Sequence, residues 1–169
     1  GIKENVTPQN VRFNIHVDEP AKERIKFILQ EEGIDLSKPV IIIHPGSGGS
    51  AVDYPKENFK ELVQLIDKKL SASIILTGSK AEEALCAEIK GDSNAKNFAG
   101  RFNLKELTAL ITFSFLFISN STGPLHIAAA MDKYTIGFYP NLLPCSYKRW
   151  GPYSLKAKVF TPKKECQDC

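Results

Sequence analysis

The sequence predicts an α/β domain built on one parallel sheet with helices on both faces. Three observations predict it. Short runs of β-branched and aromatic residues read as strands buried on both faces. Stretches with apolar residues at helical spacing separate them. The two kinds alternate about five times, the order expected of parallel strands joined by helical crossovers.

Taken in chain order, "VRFNIHV" (11–17) alternates apolar and polar residues and predicts an edge strand. "PAKERIKFILQEEGI" places Ala21, Ile25, Ile28 and Leu29 on one helical face, with Gly33 as a stop. "PVIIIH" (39–44) is the first wholly buried strand. A Gly/Ser loop follows. "YPKENFKELVQLIDKKL" then sets Phe59, Leu62, Val63, Ile66 and Leu70 on one face, with Pro55 in its first turn. "SIILTG" (73–78) is a strand, and "SKAEEALCAEIKG" a helix closed by Gly91. "NFAG" predicts a short strand. "NLKELTALITF" predicts a helix capped by Asn103. "FLFIS" (115–119), the helix opening at "TGPLHIAAAM", "YTIGFY" and "AKVF" complete the series. The stretch 140–156 is irregular and rich in aromatics and prolines, as loops covering a site often are.

The bulk properties exclude several classes. A chain of 169 residues, 43% apolar and 24% charged, suits one globular core. No apolar run is long enough to cross a bilayer. The start, "GIKENVTPQN", has no signal-peptide pattern and no initiator Met, so the chain reads as a fragment or a processed product. A net charge of +3, evenly spread, does not point to nucleic acid. The late "KAKVFTPKKE" is locally basic, a solvated tail or an aid to sitting on an anionic membrane surface. Of the four cysteines, Cys86 falls within a helical pattern and reads as a small core residue. Cys166 and Cys169 form half of a zinc-type pattern with no matching second pair, so no metal site is expected.

Ligands of open parallel sheets bind beyond the carboxyl ends of the strands. Three polar stretches fall there: "HPGSGGS", "TGSKAEE" and "SNSTGPLH". The first offers backbone N–H groups on a glycine-rich turn, although it matches neither the P-loop nor G-x-G-x-x-G pattern. A tight turn alone would also account for it. In the last, Ser121 or Thr122 can cap a helix, Gly123 admits a ligand to the backbone, and His126 lies in the first turn. A plain N-cap and a core histidine are the alternatives. The fold would bring all three stretches to one rim.

"NSTGPLHIAAA", preceded by "NFAGRFNLKELTALI", resembles the donor-binding half of glycosyltransferase family 9, the lipopolysaccharide heptosyltransferases, whose usual pattern there is Asp-(Thr/Ser)-Gly-x-x-His-x-Ala-Ala. "HPGSGGSAVDYPKENFKEL" resembles the family's Pro-Gly loop leading to Lys/Arg-x-Trp-Pro, and "LTGSKAEEAL" its Gly-x-x-x-Glu segment. "WGPYS" and the closing Cys pair also recur in such sequences. The resemblance implies a GT-B enzyme, two Rossmann-like domains with the active site between them, of which this chain is the C-terminal one. Residues 38–169 would be the nucleotide-sugar domain. Residues 1–37 would be a linker with the domain's first strand and helix, and an acceptor domain carrying the catalytic base would precede Gly1.

The resemblance further implies that Thr122 and Gly123 meet the pyrophosphate through backbone N–H groups. His126 would help hold it, Ser47 and Gly48 would contact phosphate, and Glu82 would bind the ribose hydroxyls. Two positions depart from the pattern. Ser121 stands where the family has a sugar-contacting Asp, and Val52 where it has Lys or Arg, with Tyr54 as the aromatic. The implied activity is transfer of a heptose-like sugar from a nucleoside diphosphate, expected to be ADP-linked, to a lipopolysaccharide-type acceptor. It would be cytoplasmic, peripheral at the inner membrane, and without cofactor or metal, since no Asp-x-Asp motif occurs. The isolated chain would be inactive. A nucleotide-sugar epimerase domain, or a non-enzymatic module binding a nucleotide or a protein partner, would use the same residues.

Overall fold

A computed structural model of the chain describes residues 7–49 and 52–162. Six parallel strands form one sheet: β1 (Val40–His44), β2 (Ser73–Leu76), β3 (Lys96–Asn97), β4 (Leu116–Asn120), β5 (Tyr134–Phe138) and β6 (Ala157–Phe160). Their order across the sheet is β3-β2-β1-β4-β5-β6. The helices are α1 (Glu19–Glu31), α2 (Lys56–Lys69), α3 (Glu83–Lys90), α4 (Leu104–Thr112), α5 (Gly123–Ala130) and α6 (Tyr147–Trp150). The expected α/β architecture, Rossmann-like with helices on both faces, is what the chain adopts.

Strand side chains alternate between faces, and that period of two divides the core. Val40, Ile42, Ile75 and Phe117 point to one face, where α1, α4 and α5 bring Ile25, Leu29, Leu110 and Leu125. Ile41, Ile43, Leu76 and Ile118 point to the other, where α2 and α3 bring Phe59, Val63, Cys86 and Ile89. The chain thus winds outward from β1 in one direction along one face, then returns and winds outward from β4 along the other. The loops after β1 and β4 leave adjacent strands toward opposite faces and open a crevice between them.

Several local expectations are corrected. Residues 11–17 form no strand: both edges of the sheet are taken by β3 and β6, and Phe13 and Ile15 remain exposed. What ties this part of the chain to the domain is α1, capped by the Asp18 carboxylate and packed on α4. The third strand is Lys96–Asn97 rather than 97–100, though the Phe98 N–H still donates to the Leu76 carbonyl at 2.8 Å. Pro55 is the N-cap of α2, one residue ahead of its first turn, and a 3-10 turn (Lys80–Glu82) precedes α3. Asn103 caps α4 as expected, in a reciprocal box with Glu106. The Cys166 and Cys169 pair lies outside the described residues.

Candidate functional site

The crevice above β1 and β4 collects the polar stretches. On its β4 side, Ser119 and Asn120 end the strand fully buried. Thr122 is the N-cap of α5, but its side chain does not cap. Its hydroxyl pairs instead with the Ser119 hydroxyl at 2.7 Å. The sequence reading of a hydroxyl-capped helix is therefore corrected: no side chain closes the N-terminus of α5, and Pro124 occupies its first turn. A cavity of about 460 Å³ opens there, lined by Ser121, Thr122, Gly123 and His126 from the start of α5 and by Pro144, Cys145 and Trp150 from the stretch after β5. Burial lowers the His126 pKa below the ordinary histidine range, so the ring is neutral at pH 7.

On the β1 side, His44 ends the strand, buried, with its Nδ1 3.0 Å from the Thr77 hydroxyl at the end of β2. Burial depresses its pKa against the opposing pull of Glu82 and Asp53. The loop then runs through Ser47, half-buried, and the exposed Gly48 and Gly49, whose φ values of +60° and +81° suit only glycine without strain. Glu82 reaches this loop from the turn after β2. Its carboxylate accepts from the Gly48 N–H at 3.1 Å and from the Ser79 N–H and hydroxyl at 2.7 and 2.8 Å. Burial works to raise the Glu82 pKa, but these bonds outweigh it and hold the carboxyl below its usual range. Gly46 is needed for this approach, because a Cβ there would lie 1.8 Å from Glu82 Oε1.

Asn120 joins the two sides, a role the sequence reading missed. Its carboxamide accepts from the Tyr54 N–H at 2.9 Å and donates to the Pro45 carbonyl and, at 3.0 Å, to Asp53. Tyr54 is further fixed by stacking on Phe138, centroids 4.1 Å apart and rings 4° from parallel. The available signal was an apolar strand run ending in two polar residues, Ser119 and Asn120. The 140–156 stretch lines the cavity, in keeping with a loop that covers a site, and does so through short helical elements that were not foreseen: a 3-10 turn (Leu143–Cys145) and α6, which carry Pro144 and Trp150.

All the residues singled out in sequence therefore stand on the carboxyl edge of the sheet, in two groups. Ser47, Gly48 and Glu82 form a bonded rim beyond β1 and β2. Ser121, Thr122, Gly123 and His126 line the cavity beyond β4. Val52 is exposed on the first loop. Cys86 is wholly buried beneath Glu82, its thiol pushed up to about 12 by burial and by that carboxylate. Among the described residues no three His, Cys, Asp or Glu side chains gather as metal ligands, and no helix is long and apolar enough to cross a membrane.

Residues 6–169 match the family described as glycosyltransferase family 9 (heptosyltransferase). A putative glycosyltransferase of Haemophilus influenzae is 30% identical over 139 residues, 80% of this chain and 40% of the relative. The lipopolysaccharide core heptosyltransferase OpsX of the same organism is 32% identical over 130 residues, 73% of this chain and 36% of the relative. Among solved structures, the Escherichia coli ADP-heptose lipopolysaccharide heptosyltransferase II superposes with a TM-score of 0.69 at 26% identity, over 87% of this chain and 44% of that one. The chain thus spans about two fifths of the length of the relatives it matches.

Proposed function

The chain belongs to glycosyltransferase family 9, and on that premise we propose that it is the donor-binding half of a GT-B glycosyltransferase, the partner of an acceptor domain on a longer protein. The reaction moves a heptose-like sugar from a nucleoside diphosphate, with ADP as the nucleotide, to a lipopolysaccharide-type acceptor. The observation that carries this reading is the open N-terminus of α5 at the floor of a cavity. A helix whose cap hydroxyl is turned away presents backbone N–H groups and the positive end of its dipole to an anion.

In this reading the donor's diphosphate lies over Thr122 and Gly123, whose N–H groups stabilise the charge that builds as the sugar's anomeric C–O bond breaks. That stabilisation takes the part a metal plays in other transferases. The His126 ring, neutral when the cavity is empty, gains a proton as the anion enters and then pairs with it. Ser47 and Gly48 approach the diphosphate from the opposite loop. Glu82 uses most of its acceptor capacity on Gly48 and Ser79, so a ribose hydroxyl would take its remaining lone pair. Ser121, where the family pattern has Asp, faces the sugar with a neutral hydroxyl. The acceptor's nucleophilic oxygen and the base that deprotonates it belong to the other half, at the cytoplasmic face of the inner membrane.

Calorimetric titration with ADP, UDP and GDP tests the reading, together with a radiolabelled transfer assay. The 169-residue chain is expected to bind ADP weakly and to transfer no sugar, since proximity and proton transfer both need the acceptor half. Turnover by the chain alone would move the active site elsewhere. Indifference to every nucleotide would leave a non-enzymatic partner-binding module.

A further inference from the structure

The cavity beyond β4 has one wall that the diphosphate does not use. We propose that Trp150 is the surface against which the donor's sugar ring packs, making it a specificity-determining residue of the site. The inference rests on the donor-site reading above and adds the placement of the sugar.

Direction comes first. A nucleotide-sugar is linear: base, ribose, diphosphate, sugar. With the diphosphate at the N-terminus of α5, above the junction of β1 and β4, the ribose and the sugar leave it from opposite ends. On the β2 side stands Glu82, an acceptor suited to hydroxyls of the ribose. The other side lies beyond β4 toward β5, and there the chain after β5 folds back so that Pro144 and Trp150 close the cavity. The sugar therefore falls against them.

Trp150 is also held in place from within its own loop. Its indole Nε1–H donates to the Pro144 carbonyl at 2.9 Å, and its own carbonyl accepts from the Tyr139 hydroxyl at 2.8 Å. The ring's orientation is thus fixed from within the loop, and its one polar group is already satisfied. Yet the residue stays 49% exposed. The Arg149 guanidinium lies over the ring, 5.3 Å from its centroid, and the surface left exposed beside the polar helix end is hydrocarbon. The C–H face of a pyranose is the part of the donor that matches it, and the sugar's hydroxyls would meet Ser121 across the cavity.

Trp150 is the chain's single tryptophan, which provides a direct readout. Binding of ADP, ADP-glucose and ADP-heptose is measured by calorimetry and by tryptophan emission. The expected result is an emission change with the ADP-sugars and little with ADP. Trp150→Ala should weaken ADP-sugar binding about threefold to tenfold while leaving ADP within about twofold, and Trp150→Phe should restore most of the loss. Should Trp150→Ala fail to fold, Trp150→Leu keeps apolar bulk without the ring and carries the same comparison. Equal weakening of ADP and ADP-sugars, no weakening of either, or the same emission change with both would overturn the proposal. A native chain that binds no ADP overturns the donor-site reading itself, and this inference with it.

Discussion

The two loops that frame the crevice reach their shapes by different routes. The loop after β4 is short and shapes itself: Thr122 turns back to Ser119, three positions away, and α5 begins at once. The loop after β1 is long and is shaped from outside. Glu82 holds Gly48 from 34 positions away, and Asn120 holds Pro45 from 75. A local turn needs only its own residues. A loop rich in glycine, with a large backbone entropy to lose, needs partners delivered by the finished sheet.

The difference can be broken at its strongest point by Asn120→Asp. The new carboxylate would keep the Tyr54 N–H but lose both donated bonds and face Asp53 and the Pro45 carbonyl. A loss of about 3 kcal/mol of stability is expected in urea unfolding, together with faster amide exchange at 46–49. Unchanged exchange there would show that the first loop holds itself.

Next comes Gly46→Ala, whose Cβ would evict the Glu82 carboxylate. The cost should be about 1–3 kcal/mol in the native background and only a small fraction of that in Glu82→Ala. Equal costs in the two backgrounds would mean that Glu82 is not the strut of this loop.

The second loop is sharpened by pH. The free His126 pKa is lowered by burial, whereas a bound diphosphate raises it. Between those two values binding takes up a proton, so ADP affinity should rise as pH falls through that window and level off below the free pKa. Calorimetry in buffers of different ionisation enthalpy would detect the uptake, and His126→Gln should abolish it.

The smallest expected effect is that of Ser119→Ala, about 1 kcal/mol or less in stability. Amide exchange in the first loop should be untouched. A change there would show that the two loops are coupled through more than Asn120.

The same contrast explains what could be read from sequence. "VIIIH", "SIILT", "FLFIS" and "TIGFY" were legible as strands because burial on both faces leaves an uninterrupted β-branched or aromatic record, and Asn103 with Glu106 is a cap written in four residues. "VRFNIHV" misled because alternation describes a strand's side chains without showing that a sheet edge is vacant. Thr122 was legible as the start of a helix but not as an uncapped one, since a hydroxyl's choice between its own helix and Ser119 is decided in three dimensions. The roles of Asn120 and Trp150 were hidden for the same reason, each acting on residues whose nearness only the fold creates.

The β1–β4 junction also sets an order of assembly. β1 meets β2 at a sequence separation of 33, as His44 to Thr77, but the crevice closes only when Pro45 meets Asn120 at a separation of 75. Slightly more than doubling the span adds roughly 0.7 kcal/mol of closure entropy. More decisively, during synthesis the second partner does not yet exist when the first pair can dock. The half-sheet of β1, β2 and β3 is therefore expected to form while α5 is still unmade, with the glycine loop held by Glu82 but not yet by Asn120. The crevice is the last part of the sheet edge to be completed, and until the central seam has zipped its two loops share no common frame.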